Sequence, residues 1–290
     1  MLANFYQKNV VEKPKLIFTI LLICLIGFGY YSKKPVFGVD GDFTTAPEIS
    51  QMFGELIALS ILQTWIDQGS PSQIILTELG PGRGTMMADM LRTFKSYPKF
   101  LKAAEIHLVE ASSNLKHIQK TRLSEYNIVW HEKLPKFENK HLFLIANEFF
   151  DALPIKQFLK KNNLWFEKFV NLKNPKKAFF FEKKIDIKRI EKKINFKISQ
   201  NQNFIEYSEI GLNYLKDISK KIKKNNGGLL LIDYGYTEKK MKNTLKAISN
   251  HKFANILDNI GNSDITHNIS FELFKKFTKK MGGLENNLTT

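Results

Sequence analysis

The stretch LTELGPGRGTMMADML joins an apolar run to three glycines at alternate positions, Gly80, Gly82 and Gly84, with Glu78 two residues ahead of the first. Glycine lets a backbone take left-handed angles and lets a ligand approach closely. The helix start that follows offers free N–H groups to an electron-rich ligand. A phosphate-binding P-loop would end in Gly-Lys-Ser/Thr, but here Thr85 follows Gly84 directly. A dinucleotide turn of the form G-x-G-x-x-G fails from Gly80, because position 85 is threonine, and fails from Gly82 as well. The spacing Glu-x-Gly-x-Gly-x-Gly instead suits S-adenosylmethionine. That ligand carries no phosphate, so no lysine is wanted; its cationic amino group would meet Glu78. Its ribose hydroxyls want a carboxylate at the end of the next strand, and Glu110 closes IHLVE there. A tight strand-to-helix turn with no ligand is the open alternative.

Further polar clusters follow other apolar runs. LFLIANEFFDALP delivers Asn147, Glu148 and Asp151, with helix capping by Asn147 or Asp151 as the alternative. LLLIDYGY delivers Asp233, Tyr234 and Tyr236. FIEYSEIG carries Glu206 and Glu209 ahead of a helix, where acidic residues also serve simply to complement the helix dipole. His251 and His267 have no H-x-x-x-H or H-x-E spacing, so no metal is expected, and no G-x-S-x-G elbow is present.

The elements that must position these groups alternate. Strands are expected at 74–79, 106–110, 127–130, 142–146 and 228–233. Helices are expected from Thr45 to about Asp67 and over 86–94, 112–125 and 211–224. Thr45, Pro47 and Glu48 have the spacing of a capping box. Short apolar runs alternating with helices predict an α/β fold, a doubly wound and mostly parallel sheet of the Rossmann-like kind. The ligand crevice of such a sheet lies at the carboxyl ends of its strands, where the polar clusters fall. Residues 1–68 are expected to form N-terminal helices and a cofactor-covering loop, and 69–290 the catalytic-type domain. Residues 155–205 alternate lysine with aromatic and β-branched residues and are expected to be an inserted antiparallel hairpin or small sheet.

The formal charge of +16 invites a nucleic-acid reading, but only Arg83, Arg92, Arg122 and Arg189 among the 44 basic residues are arginine. Arginine is the residue that reads bases and phosphates with a planar fork, so nucleic acid is not expected. A solvated surface, an acidic partner or a membrane surface remain. The single cysteine, Cys24, excludes a disulfide framework and a cysteine-rich zinc site. Residues 16–29, LIFTILLICLIGFG, are apolar and follow Lys8, Lys13 and Lys15. A run of about 14 residues falls short of the ~18 or more of a spanning helix. A buried or interfacial helix and a signal or anchor both remain open, and with the latter a membrane-tethered interaction protein.

Taken together, GYYSKKPVFGVDGDFTTAPEISQMFGELI, LTELGPGRGTMMADMLR, IHLVEASSNLKHIQ, LIANEFFDALPIKQF, LLLIDYGY and NTLKAISNHK resemble the MidA family. Its members are class I methyltransferase-like proteins of bacteria and mitochondria, and the mitochondrial ones are complex I assembly factors that methylate arginine. The resemblance runs in matching order from Gly29 to Thr290 and implies protein arginine methylation with S-adenosylmethionine as cofactor. It implies a protein partner such as a respiratory complex I subunit, and a place in the bacterial cytoplasm or the mitochondrial matrix, with peripheral membrane contact through 16–29. The site it implies has Glu148 gripping the guanidinium, Glu206 as a second clamp and Asp151 beside them. Glu78, Gly80, Gly82, Gly84, Glu110 and Asn147 would hold the cofactor, with Asp42 and Glu48 in the loop folding over it. A non-catalytic, cofactor-binding assembly chaperone is the rival of another class. The chain departs from the family in GNSDITHNISF, where His267 takes an alanine place, Asn268 a histidine place and Ser270 an aspartate place. Its apolar 16–29 is more hydrophobic than an amphipathic helix before GYY, and its last strands are expected to be incomplete.

Overall fold

The computed structural model describes residues 45–137, 140–174, 177–249, 252–258 and 263–282. The apolar segment 16–29, the loop that carries Asp42, His251 and the region of the last strands beyond 282 lie outside them.

The five-stranded central sheet forms from the short apolar runs. Strands β1 (Ile74–Leu79), β2 (Ala104–Val109), β3 (Ile128–His131), β4 (His141–Asn147) and β9 (Gly227–Ile232) are all parallel, in the order β3-β2-β1-β4-β9. Every residue of β1 is buried, as expected of a strand covered on both faces. Alternate side chains of β4 serve the two cores. Leu142, Leu144 and Ala146 face one with α7 (Glu209–Asn225) and α8 (Phe271–Gly282). Phe143 and Ile145 face the other with α2 (Gln51–Asp67) and α3 (Thr85–Phe94). The chain winds outward from β1 through β2 to β3, then returns to the other side of β1 with β4. Register pairs Leu79 with both Val109 and Ala146. The topological switch point therefore lies between β1 and β4, with three polar-tipped strand ends side by side.

The first expected helix is two. α1 (Ala46–Ile49) ends at Ser50, which is extended at φ −145°, and α2 begins at Gln51. The expected capping box does not form, for Thr45 makes no side-chain cap bond. Glu48 accepts a hydrogen bond from Thr85 Oγ1 at 2.5 Å instead, so its carboxylate ties α1 to the glycine turn.

The insert is a four-stranded antiparallel sheet in the order β7-β6-β5-β8, from β5 (Lys156–Lys161), β6 (Leu164–Asn174), β7 (Lys177–Ile185) and β8 (Phe204–Tyr207). It also holds a helix that alternation concealed, α6 (Ile187–Ile194), capped by Asp186, with Ile187, Ile190 and Ile194 packed on the core. The remaining helices are α4 (Pro98–Ala103) and α5 (Ser113–Arg122). The remaining strands are the short β10 (Gly235–Tyr236), β11 (Lys246–Ser249), β12 (Lys252–Ala254), β13 (Asp264–Thr266) and β14 (Ile269–Ser270), paired in two small sheets, β10-β14 and β12-β11-β13. No helix among the described residues is long and apolar enough to cross a membrane.

Candidate active site

A cleft of about 540 Å³ opens at the carboxyl ends of β1, β2 and β4. Its floor is the glycine turn. Gly80, Gly82 and Gly84 all have positive φ, and the turn closes through Gly84 N–H to the Pro81 carbonyl at 2.7 Å. Gly80 N–H also donates to Val109 O at 3.0 Å, which fastens the turn to β2. A Cβ on Gly80 would lie 2.8 Å from the Phe149 ring, so glycine is required there both by angle and by space. Gly84 does not line the cleft; it starts α3 in the left-handed conformation and packs on Gln119 and Leu123.

Two carboxylates face the cleft from this end. Glu78 is 3% exposed, and its Oε2 has no hydrogen-bond partner. Burial, with the nearby Glu110 carboxylate second, pushes its pKa up to about 8. A buried carboxylate without a partner is costly, and a cationic group in the cleft would satisfy it. Glu110, also raised by burial, accepts from Ser112 N–H at 2.7 Å and Gln119 Nε2 at 3.3 Å. The chemistry of this donor set fits S-adenosylmethionine, with an unpartnered acid for its ammonium and an oriented acid for its ribose. Gly80 has no room for a side chain, and the turn offers no lysine for a phosphate.

Gln119 was not legible in the sequence, because its three partners come from three elements. Fully buried in α5, it donates to Gly82 O at 2.7 Å and to Glu110, and it accepts from Trp130 Nε1 at 3.1 Å. It braces the turn against the ribose-side carboxylate.

Another wall of the cleft is built by the NEFFDALP loop. Asn147 ends β4, and its Oδ1 is buried without a partner. Glu148 sits at φ +47°, a left-handed angle that glutamate rarely takes, and it lines the cleft. Burial first, then the Asp151 charge, push its pKa up to about 7, against a hydrogen bond from Ala46 N–H. An uncommon φ held at a cleft is stored strain, typical of functional residues. Asp233 holds the loop in this shape. Its Oδ2 accepts from the N–H groups of Phe150 at 2.9 Å and Asp151 at 3.3 Å, and burial with Asp151 pushes its pKa up to about 8. Asp151 lines the cleft but is 8% exposed and accepts from Thr266 Oγ1 at 3.1 Å. Tyr214 and Tyr234, with Phe149, supply aromatic walls.

Glu206 does not reach the cleft. In β8 it accepts from Gln157 Nε2 at 2.5 Å, from Thr244 N–H at 3.1 Å and from the Thr244 hydroxyl, so its carboxylate ties the insert to the segment before β11. Asp42 lies outside the described residues. Glu48 does line the cleft, held by Thr85 and 3.8 Å from Arg83, which gives that arginine of the glycine turn a partner. Glu209, the helix-start acid, pairs with Lys156 at 2.8 Å and with Lys193. His267 is buried away from the cleft, its pKa driven down to about 4 by burial. No cluster of three or more metal-binding side chains occurs among the described residues.

Comparison with known proteins agrees with this geometry. A family described as "putative S-adenosyl-L-methionine-dependent methyltransferase" matches residues 56–288. The chain is similar to the mitochondrial protein arginine methyltransferase NDUFAF7 of Xenopus laevis, at 30% identity over 86% of this chain and 62% of that one. It is similar to the NDUFAF7 of Homo sapiens at 29% identity, over 94% of this chain and 64% of that one. It thus spans a little under two thirds of the length of these curated relatives. A "likely methyl transferase" from Burkholderia thailandensis, solved bound to S-adenosyl-homocysteine, superposes with a TM-score of 0.71. That match has 19% identity and covers 96% of this chain and 71% of that one, so the fold is shared.

Proposed function

The chain belongs to this methyltransferase family, and we propose that it transfers a methyl group from S-adenosylmethionine to an arginine side chain of a protein. The observation that carries the reading is one cleft lined by acids from three neighbouring strand ends. Glu78 and Glu110 come from the ends of β1 and β2, and Glu148 follows the end of β4. The cofactor, when bound, supplies a methyl group on a sulfonium. Glu148 grips the guanidinium of the substrate and aims one nitrogen across the cleft. The aromatic faces of Tyr234 and Phe149 suit a flat cation. A guanidinium is protonated at neutral pH, with a pKa above ~12, so the attacking nitrogen must shed a proton as the new carbon–nitrogen bond forms, while the methyl's bond to sulfur would break and its electron pair would stay on sulfur as a neutral thioether. Glu148, poised at about 7, accepts that proton and passes it to solvent. The names of the relatives supply arginine as the side chain to try, and the resemblance supplies a respiratory complex I subunit as the first protein to offer. A bacterial cytoplasmic or mitochondrial matrix location goes with that reading.

Calorimetric titration with S-adenosylmethionine should give binding that Glu110→Ala weakens at least tenfold. Labelled methyl groups should appear on arginine of the protein substrate, and Glu148→Gln should abolish transfer while sparing cofactor affinity. A folded wild type that binds no cofactor refutes the reading. Binding with no transfer to any arginine-bearing substrate would leave a cofactor-binding chaperone.

A further inference from the structure

Strand β11 brings a base to the cleft that transfer to an arginine does not call for. Lys246 lines the cleft together with Glu148 and Asp151, and its ammonium stands 5.9 Å from the centroid of the Tyr234 ring. Among the described residues no carboxylate forms an ion pair with it. A lysine beside the path of a guanidinium repels it unless an acid arrives with the substrate.

The register of the small sheet β12-β11-β13 shows what surrounds this base. Directly opposed residues of an antiparallel pair project to the same face. Lys246 is opposed by Thr266 and Ile248 by Phe253, and Lys246, Thr266 and Ile248 all line the cleft. The alternate pair, Ala247 with Ile265, turns the other way and is buried, at 1% and 6% exposed. The cleft-facing side of the sheet thus continues outward from Lys246 through Ile248 to Phe253, which is 84% exposed. Tyr234 and Ile210, exposed by 60% and 38%, line the same cleft. Scattered exposed apolar side chains are ordinary; these run on from a cleft and stand beside a base without an ion pair.

We propose that this face of β11 and β12 seats the segment of the substrate protein that flanks the target arginine, with an acidic side chain of that segment on Lys246 and an apolar one on Ile248 and Phe253. Two observations choose this occupant. The face is continuous with the cleft in which Glu148 grips the guanidinium, so a chain that delivers an arginine there lays its neighbouring residues across it. The charge of Lys246 is complementary to a carboxylate carried close to that arginine. The preferred acceptor is therefore an arginine with an acidic and an apolar residue nearby. This inference rests on the acceptor being a protein arginine.

Fluorescein-labelled, blocked peptides with one central arginine, a leucine on one side and glutamate placed in turn at each nearby position are the probe. Their counterparts carry lysine for glutamate or serine for leucine. Binding to the full chain saturated with S-adenosylhomocysteine is read by fluorescence anisotropy, and transfer from S-adenosylmethionine is read separately. At least one glutamate peptide should bind about tenfold more tightly than its lysine counterpart. Lys246→Gln should bring that ratio close to one, and Lys246→Glu should reverse it. Lys99→Glu, at an exposed position of α4 outside the cleft, should leave it unchanged. Phe253→Ser should weaken binding of the leucine peptides by up to about tenfold and of the serine peptides hardly at all. A glutamate preference that survives in Lys246→Gln reports only the general charge of +16 and overturns the proposal. Peptides that bind no better than their counterparts also overturn it. So does a wild-type dimer that Phe253→Ser dissociates without changing peptide affinity, which assigns the face to a second copy. Selective binding without transfer keeps the docking face and refutes arginine methylation; transfer without selectivity does the reverse.

Discussion

Removing the charge from Glu78 should make the ligand-free protein more stable at neutral pH while costing it its cofactor. The carboxyl is 3% exposed with one oxygen unpartnered, and its pKa is pushed up to about 8. In the unfolded chain the same group titrates near 4.5. The unfolded state therefore loses its proton first. The stability contributed by the protonated side chain is fully present below 4.5 and is lost as pH rises through about 8. At about 1.36 kcal/mol per pH unit, the interval from pH 5 to 7.5 amounts to about 3 kcal/mol. Glu78→Gln keeps the shape and cannot titrate. Urea unfolding at the two pH values should show wild type losing about 3 kcal/mol more than the variant between them. The nearby Glu110 carboxylate raises the value further, so the apparent pKa values read in such a titration belong to the pair of acids. The ligand supplies the second half of the test. At pH 7 about nine tenths of a group with a pKa near 8 is protonated, and an ammonium ligand favours the carboxylate. Binding of S-adenosylmethionine should thus release up to about 0.9 proton, measured by calorimetry in buffers of different ionisation enthalpy, and Glu78→Gln should release none. Parallel pH dependence of the two proteins, or binding without proton release in wild type, would refute the pairing of Glu78 with a cation.

Gly80→Ala should cost about 2–4 kcal/mol in urea unfolding, from a left-handed angle and a methyl forced against the Phe149 ring, and should abolish cofactor binding. Gln119→Ala should lower cofactor affinity about tenfold, since it strands Trp130 Nε1–H and frees the Glu110 carboxylate to turn, whereas Glu148→Gln should leave that affinity unchanged. The kcat/KM for methyl transfer, which reports the free enzyme, should rise with pH through about 7 as Glu148 becomes a carboxylate able to take a proton, and a kcat/KM that is flat between pH 6 and 8 would remove it as the base. Burial drives the His267 pKa from 6.5 down to about 4, so stability present above 6.5 is lost as pH falls through about 4. A His267→Gln variant should show a visibly flatter acid limb in pH titration of the unfolding midpoint.

Much of the framework was legible because parallel strands are buried on both sides and read as unbroken apolar runs. IILTEL, LFLIA and GLLLID each fall within a residue or two of a strand. The acids that close such runs lie at the crevice for the same reason, and Glu78, Glu110 and Glu148 meet in one cleft. Local signals failed where a decision belongs to tertiary structure. Nothing in TAPEISQM marks Ser50 as extended, and Glu48 had two uses, a cap or a tie to Thr85, which only the fold distinguishes. Lys-Ile alternation in IDIKRIEKKI serves a strand or a helix equally, and packing of one isoleucine face made it a helix. Glu206 carried a polar side chain near a helix start, but its strand pairing opposite Gln157 turned it toward Thr244 rather than the cleft. Tyr214 reached the cleft from the middle of a helix, a position no strand-end argument marks.

Asp233 grips its neighbours through backbone N–H groups rather than through their side chains. The anchoring bonds therefore ask nothing of the side chains they hold in place. Phe150 is committed to the core and Asp151 to Thr266, so the position of this loop left to set what the cleft accepts is 148. Position 233 itself is intolerant, since one substitution there unfastens the backbone that aims Glu148.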